Sequence, residues 1–318
     1  MENTDNNKII SDDIFENDDI ESIEIVENDM HEDSGYQLSA GTALNENELY
    51  ELSSRQNTSI IYVLGPVRSG KTTFETMLYE CFVHKIDDEL WFSGSLTLPG
   101  YEKRLHSLRV KSGTSHVEMP RTSKDEKRVY LHLELLDKTT NEKRSMVFAD
   151  ISGESFEECK ANKKNLEKQL PFLDMAKKIM LFMDGEALVD LKMRNNAVSN
   201  VKTFLKTLKS SKYYYKGMNI GIIISKNDYI YSKRNDNVVV FIDTLADRFE
   251  EFNNEFNLDI FRIEAKNGAE LKDESTSINL INLLKNILRY SSSTQKIGEY
   301  DKGKLTNEFN KYYERMFE

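Results

Sequence analysis

The sequence predicts an α/β fold of three layers, a mostly parallel sheet with helices on both faces, and three observations carry that reading. Apolar, β-branched runs recur at residues 60–64, 145–149, 179–183, 219–224 and 260–263, with a more alternating run at 129–135. Segments with apolar residues at helical spacing lie between most of them, the pattern of strand, crossover helix and parallel strand. A glycine-rich turn, Gly65-Pro66-Val67-Arg68-Ser69-Gly70-Lys71-Thr72, joins the first run to the first helix.

The elements follow in order. Residues 1–45 read as a disordered acidic tail, since Asp5, Asp12, Asp13, Asp18, Asp19, Glu21, Glu24, Glu27, Asp29, Glu32 and Asp33 face the single base Lys8. With few aromatics, such a segment buries too little apolar area to offset its ordering entropy. A globular domain is expected over residues 55–290. It opens with the strand at 60–64 and a helix over 73–82, followed by a long insertion at about 87–119. That insertion carries Trp91, Phe92, Tyr101, Lys103, Arg104, Arg109 and Lys111. It reads either as a partner surface or lid, or as a decorated edge of the sheet. Strands at 129–135 and 145–149 precede a helix whose apolar positions are Phe156, Cys159, Leu166, Leu170, Phe172 and Leu173. Helices are predicted over about 187–208, 238–252 and 277–290, each following one of the strands at 179–183, 219–224 and 260–263. Residues 291–318 form a terminal helix by the spacing of Leu305, Phe309, Tyr312, Tyr313 and Met316.

The chemistry gathers at strand ends. Residues 65–72 have the form G-x-x-x-x-G-K-T between a strand and a helix, the context in which that motif holds phosphate. Its glycines let backbone N–H groups converge on phosphate oxygens, and the helix start adds positive potential. Lys71 reaches the β- and γ-phosphates, Thr72 is placed for Mg²⁺, and Gly65, Arg68, Ser69, Gly70 and Thr73 complete the cradle. Asp150 ends the 145–149 run and is followed three residues on by Gly153. A D-x-x-G arrangement beside a phosphate loop supplies a carboxylate for Mg²⁺ and a backbone N–H for the γ-phosphate. Ser225-Lys226-Asn227-Asp228 ends the 219–224 run and resembles the guanine-specificity motif N/T-K-x-D. Asp228 would accept from the two donors on guanine's Watson–Crick edge, a pair that adenine lacks, while the Lys226 stem lies over the base. Glu264-Ala265-Lys266 resembles the S-A-K loop, whose alanine N–H meets the guanine O6.

Together these segments resemble the P-loop GTPases of the translation-factor and Ras-like branch, over roughly residues 60–290. Trp91 to Ser95, Gly100 to Arg104, Pro120-Arg121-Thr122, Tyr130 to Leu133 and Asp150 to Phe156 narrow the resemblance to the bacterial double-GTPase type. The resemblance implies a Ras-like P-loop NTPase fold, GTP or GDP with Mg²⁺, and other protein subunits of a multi-gene conflict system as partners. It also implies a first-switch threonine as the remaining Mg²⁺ ligand. Thr122 fits, just before the 129–135 strand, and is favoured over Thr97, which lies far upstream of any strand able to position it. Arg121 is either an internal arginine finger, a role worth roughly 10³–10⁵ in rate, or a solvated loop residue. Two departures stand out: Ser225 replaces Asn or Thr, and Glu154 replaces the glutamine that orients the attacking water. Slow intrinsic hydrolysis is the expectation. A non-hydrolysing nucleotide-stabilised interaction module and a P-loop ATPase are the alternatives.

The remaining composition excludes other classes. Net charge is −11 over 318 residues, concentrated at the front, and no basic patch with interleaved aromatics stands out, so direct nucleic-acid binding is not expected. Cys81 and Cys159 form no disulfide framework, and the five histidines have no metal spacing. No apolar run approaches the 18 or so residues of a membrane span and no signal peptide opens the chain, so a cytoplasmic location is expected.

Overall fold

The computed structural model describes residues 41–84, 87–110, 128–233, 235–264 and 274–289. Among these, seven strands are β1 (Thr58–Leu64), β2 (Leu90–Gly94), β3 (Arg128–Asp137), β4 (Glu142–Ile151), β5 (Ala176–Met183), β6 (Met218–Ile224) and β7 (Phe256–Arg262). They form one sheet in the order β2-β3-β4-β1-β5-β6-β7. β2 with β3 and β3 with β4 are antiparallel, and the other four pairings are parallel. The helices are α1 (Glu46–Arg55), α2 (Lys71–Val83), α3 (Leu98–Val110), α4 (Gly153–Cys159), α5 (Lys163–Gln169), α6 (Gly185–Val189), α7 (Arg194–Ser210), α8 (Asn227–Ser232), α9 (Asp236–Asp243) and α10 (Glu274–Arg289).

The three-layer α/β architecture follows from how β1 is buried. Ile60, Tyr62 and Leu64 pack into one core with residues of α1, α4, α5, α7 and α9, while Ile61 and Val63 face a second core with α2, α3 and α10. Successive side chains of a strand point to opposite faces, so a strand covered on both sides reads as a continuous apolar run. Each such buried side chain contributes about 1.5–3 kcal/mol through its removal from water. α2 is buried nearly all round because it lies between the sheet and its neighbours. The Phe74 ring meets Phe148 of β4 edge-on at 6.3 Å and Phe182 of β5 at 5.6 Å. On its other side Tyr79 stacks on Tyr101 of α3 at 5.0 Å, and its hydroxyl donates to Glu102 at 2.6 Å.

Several expectations are corrected. Residues 87–110 of the insertion are an edge strand and a packed helix, which is the sheet-edge reading, and residues 111–119 lie outside the described residues. The helix expected over 187–208 is two helices, α6 and α7. Asp190 breaks it by turning its carboxylate onto the Lys192 N–H at 2.8 Å. The 238–252 helix is α9 followed by a 3₁₀ turn at Asp247–Phe252, and the helix after Phe156 is α4 and α5. Leu44, within the segment read as the acidic tail, is buried and its N–H donates to the Tyr130 carbonyl at 2.9 Å. The rest of the acidic segment and the terminal helix of 291–318 lie outside the described residues.

One buried charge fixes the far half of the sheet. Lys178 of β5 is fully buried, and its ammonium donates to Asp259 of β7 at 2.7 Å and to Asn286 of α10 at 2.8 Å. Burial pushes its pKa down and the Asp259 partnership opposes the shift. Removing that carboxylate takes the counter-charge from a buried ammonium, so Asp259→Ala is expected to lower stability by about 3 kcal/mol in urea unfolding, with a smaller loss for Asp259→Asn.

Candidate functional site

The parallel pairing gathers the loops of the predicted motifs at one edge of the sheet. Val63 of β1 pairs with Asp150 of β4, Leu64 with Leu181 of β5, Met183 with Ile224 of β6, and Ile224 with Arg262 of β7. The segments beginning at residues 65, 152, 184, 225 and 263 therefore leave the carboxyl edge side by side, where open α/β sheets bind ligands.

The loop at 65–72 is closed by its own lysine. Lys71 Nζ donates to the Gly65 carbonyl at 2.9 Å and to that of Pro66 at 3.1 Å, and the Ser69 hydroxyl donates to Pro66 at 2.8 Å. Gly70 takes a left-handed φ of 88°, and Arg68, a non-glycine, takes 64°, a strained conformation of the kind found in ligand clamps. A side chain at Gly65 would meet Phe182 Cβ and O at 2.9 Å. α2 begins at Lys71 with Gly70 as its cap and no side-chain capping bond, which leaves its first-turn N–H groups to an external acceptor. Thr72 and Thr73 sit half-buried in that first turn. Burial pushes the Lys71 pKa down, and the charges of Asp150, Glu75 and Glu154 counter it.

Gly153 is brought against this loop. A Cβ built on it would lie 2.3 Å from Val67 N and 2.6 Å from Val67 Cα, so only glycine allows this approach. Ser152 caps α4 by accepting from the Ser155 N–H at 3.1 Å, which fixes the turn in which Gly153 lies. Asp150 is buried at the end of β4, and its Oδ1 has no hydrogen-bond partner among the described residues. Burial pushes its carboxyl up to about 6 against the opposing charges of Lys71 and Arg104. Glu154 is half-buried in the first turn of α4.

The 225–228 segment sits beside the loop. Ser225 is buried, its hydroxyl donates to the Met183 carbonyl at 3.2 Å, and its Cβ would be 3.3 Å from a side chain at Gly70. Contact with the phosphate loop is thus made by packing. Lys226, at a left-handed φ of 51°, reaches back to Asp184 at 3.0 Å and Glu186 at 3.2 Å, and Asp228 stands exposed in the first turn of α8. The Asn227 side chain donates to Glu264 at 3.3 Å, which ties this loop to the one after β7.

Arg121, Thr122, Ala265 and Lys266 lie outside the described residues. Thr97 needs a correction: it is fully buried, its hydroxyl accepts from the His132 N–H at 2.9 Å and donates to the His132 carbonyl at 3.3 Å, so β3 does position it. That places it against the middle of β3, three residues along from Val129, the partner of Asp150. Sequence reasoning gave no place in the site to three charged groups. Glu75 is a buried carboxylate one helical turn beyond Lys71, Arg104 acts on Asp150 from α3, and Asp184 holds Lys226. Glu75 carried a signal, as an acid followed on its helix face by the apolar Leu78, Tyr79 and Phe82.

The arrangement suits a nucleoside polyphosphate: the uncapped start of α2 and a lysine at one end, a carboxylate for a divalent cation beside them, and a lysine and an aspartate two strands away for a base. No curated protein matches the sequence. Solved structures are similar at low identity. The Methanosarcina barkeri Roco2 RocCORdC protein bound to GDP is 15% identical over 74% of this chain, with a TM-score of 0.37. The Saccharomyces cerevisiae Ski7 GTPase-like domain bound to GDP and inorganic phosphate is 12% identical over 78%, at 0.45. An Aquifex aeolicus Era variant bound to GDP and AlF4⁻ is 18% identical over 74%, at 0.39. The matches span 50%, 53% and 57% of those chains. The family assignment comes instead from a sequence-family model described as Double-GTPase 2, which matches residues 59–285 and so runs from β1 into α10. The chain belongs to this family of P-loop GTPases.

Proposed function

We propose that the chain is a guanine-nucleotide switch that holds GTP or GDP with Mg²⁺ at the carboxyl edge of its sheet and hydrolyses GTP slowly. The observation that carries this reading is the packing of Gly153 onto Val67, which brings the D-x-x-G segment and the phosphate loop into contact. A terminal phosphate over the loop would meet both Lys71 and the Gly153 N–H, and its loss would release α4 from the loop. Bound Mg²⁺ neutralises charge on the β- and γ-phosphates. Thr72 and Asp150 are the groups that would hold it, and the partnerless, buried Oδ1 of Asp150 fits that role among the described residues. Thr122 is assigned as the first-switch ligand and Arg121 as an adjacent cation. The charge of Glu154 acts on Lys71, and a carboxylate in the place of the water-orienting glutamine is a poor guide for an attacking water, which supports slow hydrolysis and gives the second reading, a non-hydrolysing interaction module, its one specific support. Other protein subunits of a bacterial multi-gene conflict system, in the cytoplasm, are the partners this reading assigns. No helix among the described residues is long and apolar enough to cross a membrane.

Base recognition tests the reading. Calorimetry should give about a hundredfold or greater preference for GTP and GDP over ATP and ADP, because adenine leaves the Asp228 carboxylate without its paired donors. Asp228→Asn should move the preference toward xanthine nucleotides, whose 2-oxo group accepts from the new amide. Equal wild-type affinity for GTP and ATP would overturn the assignment, and single-turnover assays with GTP separate the switch from the non-hydrolysing module.

A further inference from the structure

Glu75 is not accounted for by the nucleotide motifs. It lies within α2, four residues after Lys71 and three after Thr72, so it shares their face of the helix, and helical side chains lean toward the N-terminus, here the phosphate end. It is 1% exposed, and neither carboxylate oxygen has a hydrogen-bond partner among the described residues. Burying a carboxylate in that state is expensive unless a cation or a bound donor meets it. Its surroundings repeat the theme. Asp150 Oδ1 and the Tyr101 hydroxyl are likewise buried and without a partner among the described residues.

These groups come from three elements packed on one another. α2 is pinned to β4 by Phe74 against Phe148, next to Glu75 and two residues from Asp150, and α3 is pinned to α2 by Tyr79 stacked on Tyr101. Electrostatics agree with that geometry. Burial drives the Glu75 carboxyl well above its ordinary range and the charge of Asp150 adds to the shift, while Arg104 and Lys71 oppose it. Burial likewise raises Tyr101, followed by the charge of Glu75. Arg104 is held on α3 by donating to the Gly100 carbonyl at 3.0 Å.

We propose that Glu75 belongs to the divalent-cation site: its carboxylate stands with that of Asp150 and accepts from water in the cation's hydration shell, with Tyr101 and Arg104 of α3 beside it. The proposal rests on the reading of the loop as a nucleotide–Mg²⁺ site. Mg²⁺ dehydrates reluctantly and is held through one or two carboxylates, phosphates and retained waters, a need that a set-back carboxylate meets. Groups that orient such a shell are worth about 10- to 100-fold in metal affinity. The arrangement also ties the insertion to the site, because α3 supplies two of the groups around Glu75.

Release of a fluorescent GDP analogue from the full chain, followed against free Mg²⁺, tests this. In wild type, Mg²⁺ should slow release with a defined midpoint. Glu75→Gln should raise that midpoint about tenfold or more, each curve being scaled to the same variant's release in EDTA, and Tyr101→Phe should raise it less. Thermal unfolding and circular dichroism check that Glu75→Gln folds; if it does not, Glu75→Asp, which retracts the carboxylate by one methylene, carries the same expectation. An unchanged midpoint in a folded Glu75 variant, as for a carboxylic acid that is merely buried and protonated, overturns the proposal alone. A wild type whose GDP release ignores Mg²⁺ overturns the cation reading of the site and the proposal with it.

Discussion

Lys71→Ala is expected to lower GTP and GDP affinity by at least two orders of magnitude in calorimetry while the chain remains folded. Lys71 sits at the point where the loop, α2 and three carboxylates meet. Its ammonium spans the Gly65 and Pro66 carbonyls at 2.9 and 3.1 Å, positions from which it can exchange a carbonyl for a phosphate oxygen with little movement. Charge-assisted bonds of this kind are among the strongest available to a buried site. The substitution has a second consequence in the free protein. Asp150, Glu75 and Glu154 all act on Lys71, so removing it leaves buried carboxylates facing one another with Arg104 as the remaining cation whose charge opposes both Asp150 and Glu75. Lys71→Met keeps the stem and drops the charge, so it should lose binding equally while perturbing packing less. Thermal unfolding without nucleotide should therefore separate the two variants, and nucleotide should stabilise neither. Unchanged affinity in either variant would mean that residues 65–72 do not hold phosphate.

Much of the site was legible because its chemistry is local in sequence. β1, the loop and α2 are contiguous, and each of residues 150–153 and 225–228 is a strand end followed at once by the group proposed to act there. What the parallel sheet adds is their alignment, and strand alternation predicts that too. The unread parts depend on long-range contacts. β2 has five residues and leaves Trp91 about half exposed, so it lacks the continuous apolar run that marked the other strands. Thr97 is positioned by His132, thirty-five residues away, and no spacing rule joins them. Glu75 could not be recognised as buried until α2 was known to be covered by the sheet on one side and by α3 on the other. Asp184 was readable as the end of a strand, but its partnership with Lys226 requires β5 and β6 to be neighbours.

Gly153→Ala is expected to weaken GTP binding by about tenfold or more and to destabilise the protein, against the usual effect of that substitution. In a helix, alanine is preferred to glycine by about 1 kcal/mol, and α4 begins at Gly153, so local propensity alone would give a gain. The new Cβ, however, would fall 2.3 Å from Val67 N and 2.6 Å from Val67 Cα, contacts with backbone that no side-chain rotation relieves. Either α4 or the loop must move by several tenths of an ångström or more. Overpacking of this kind costs about 1–3 kcal/mol, enough to cancel or reverse the helical gain. Displacement of the loop also disturbs the N–H groups that converge on phosphate, where misplacement by about 1 Å can cost 10²-fold in function. Gly94→Ala is the control, since a Cβ there meets nothing within 4 Å, and it should leave both stability and affinity unchanged. Thermal unfolding without nucleotide and calorimetry with GTP and GDP read the two effects separately. GTP should suffer more than GDP, because the segment that Gly153 opens is the one assigned to the terminal phosphate. A Gly153→Ala protein as stable as wild type, with equal losses for GTP and GDP, would remove Gly153 from the γ-phosphate site.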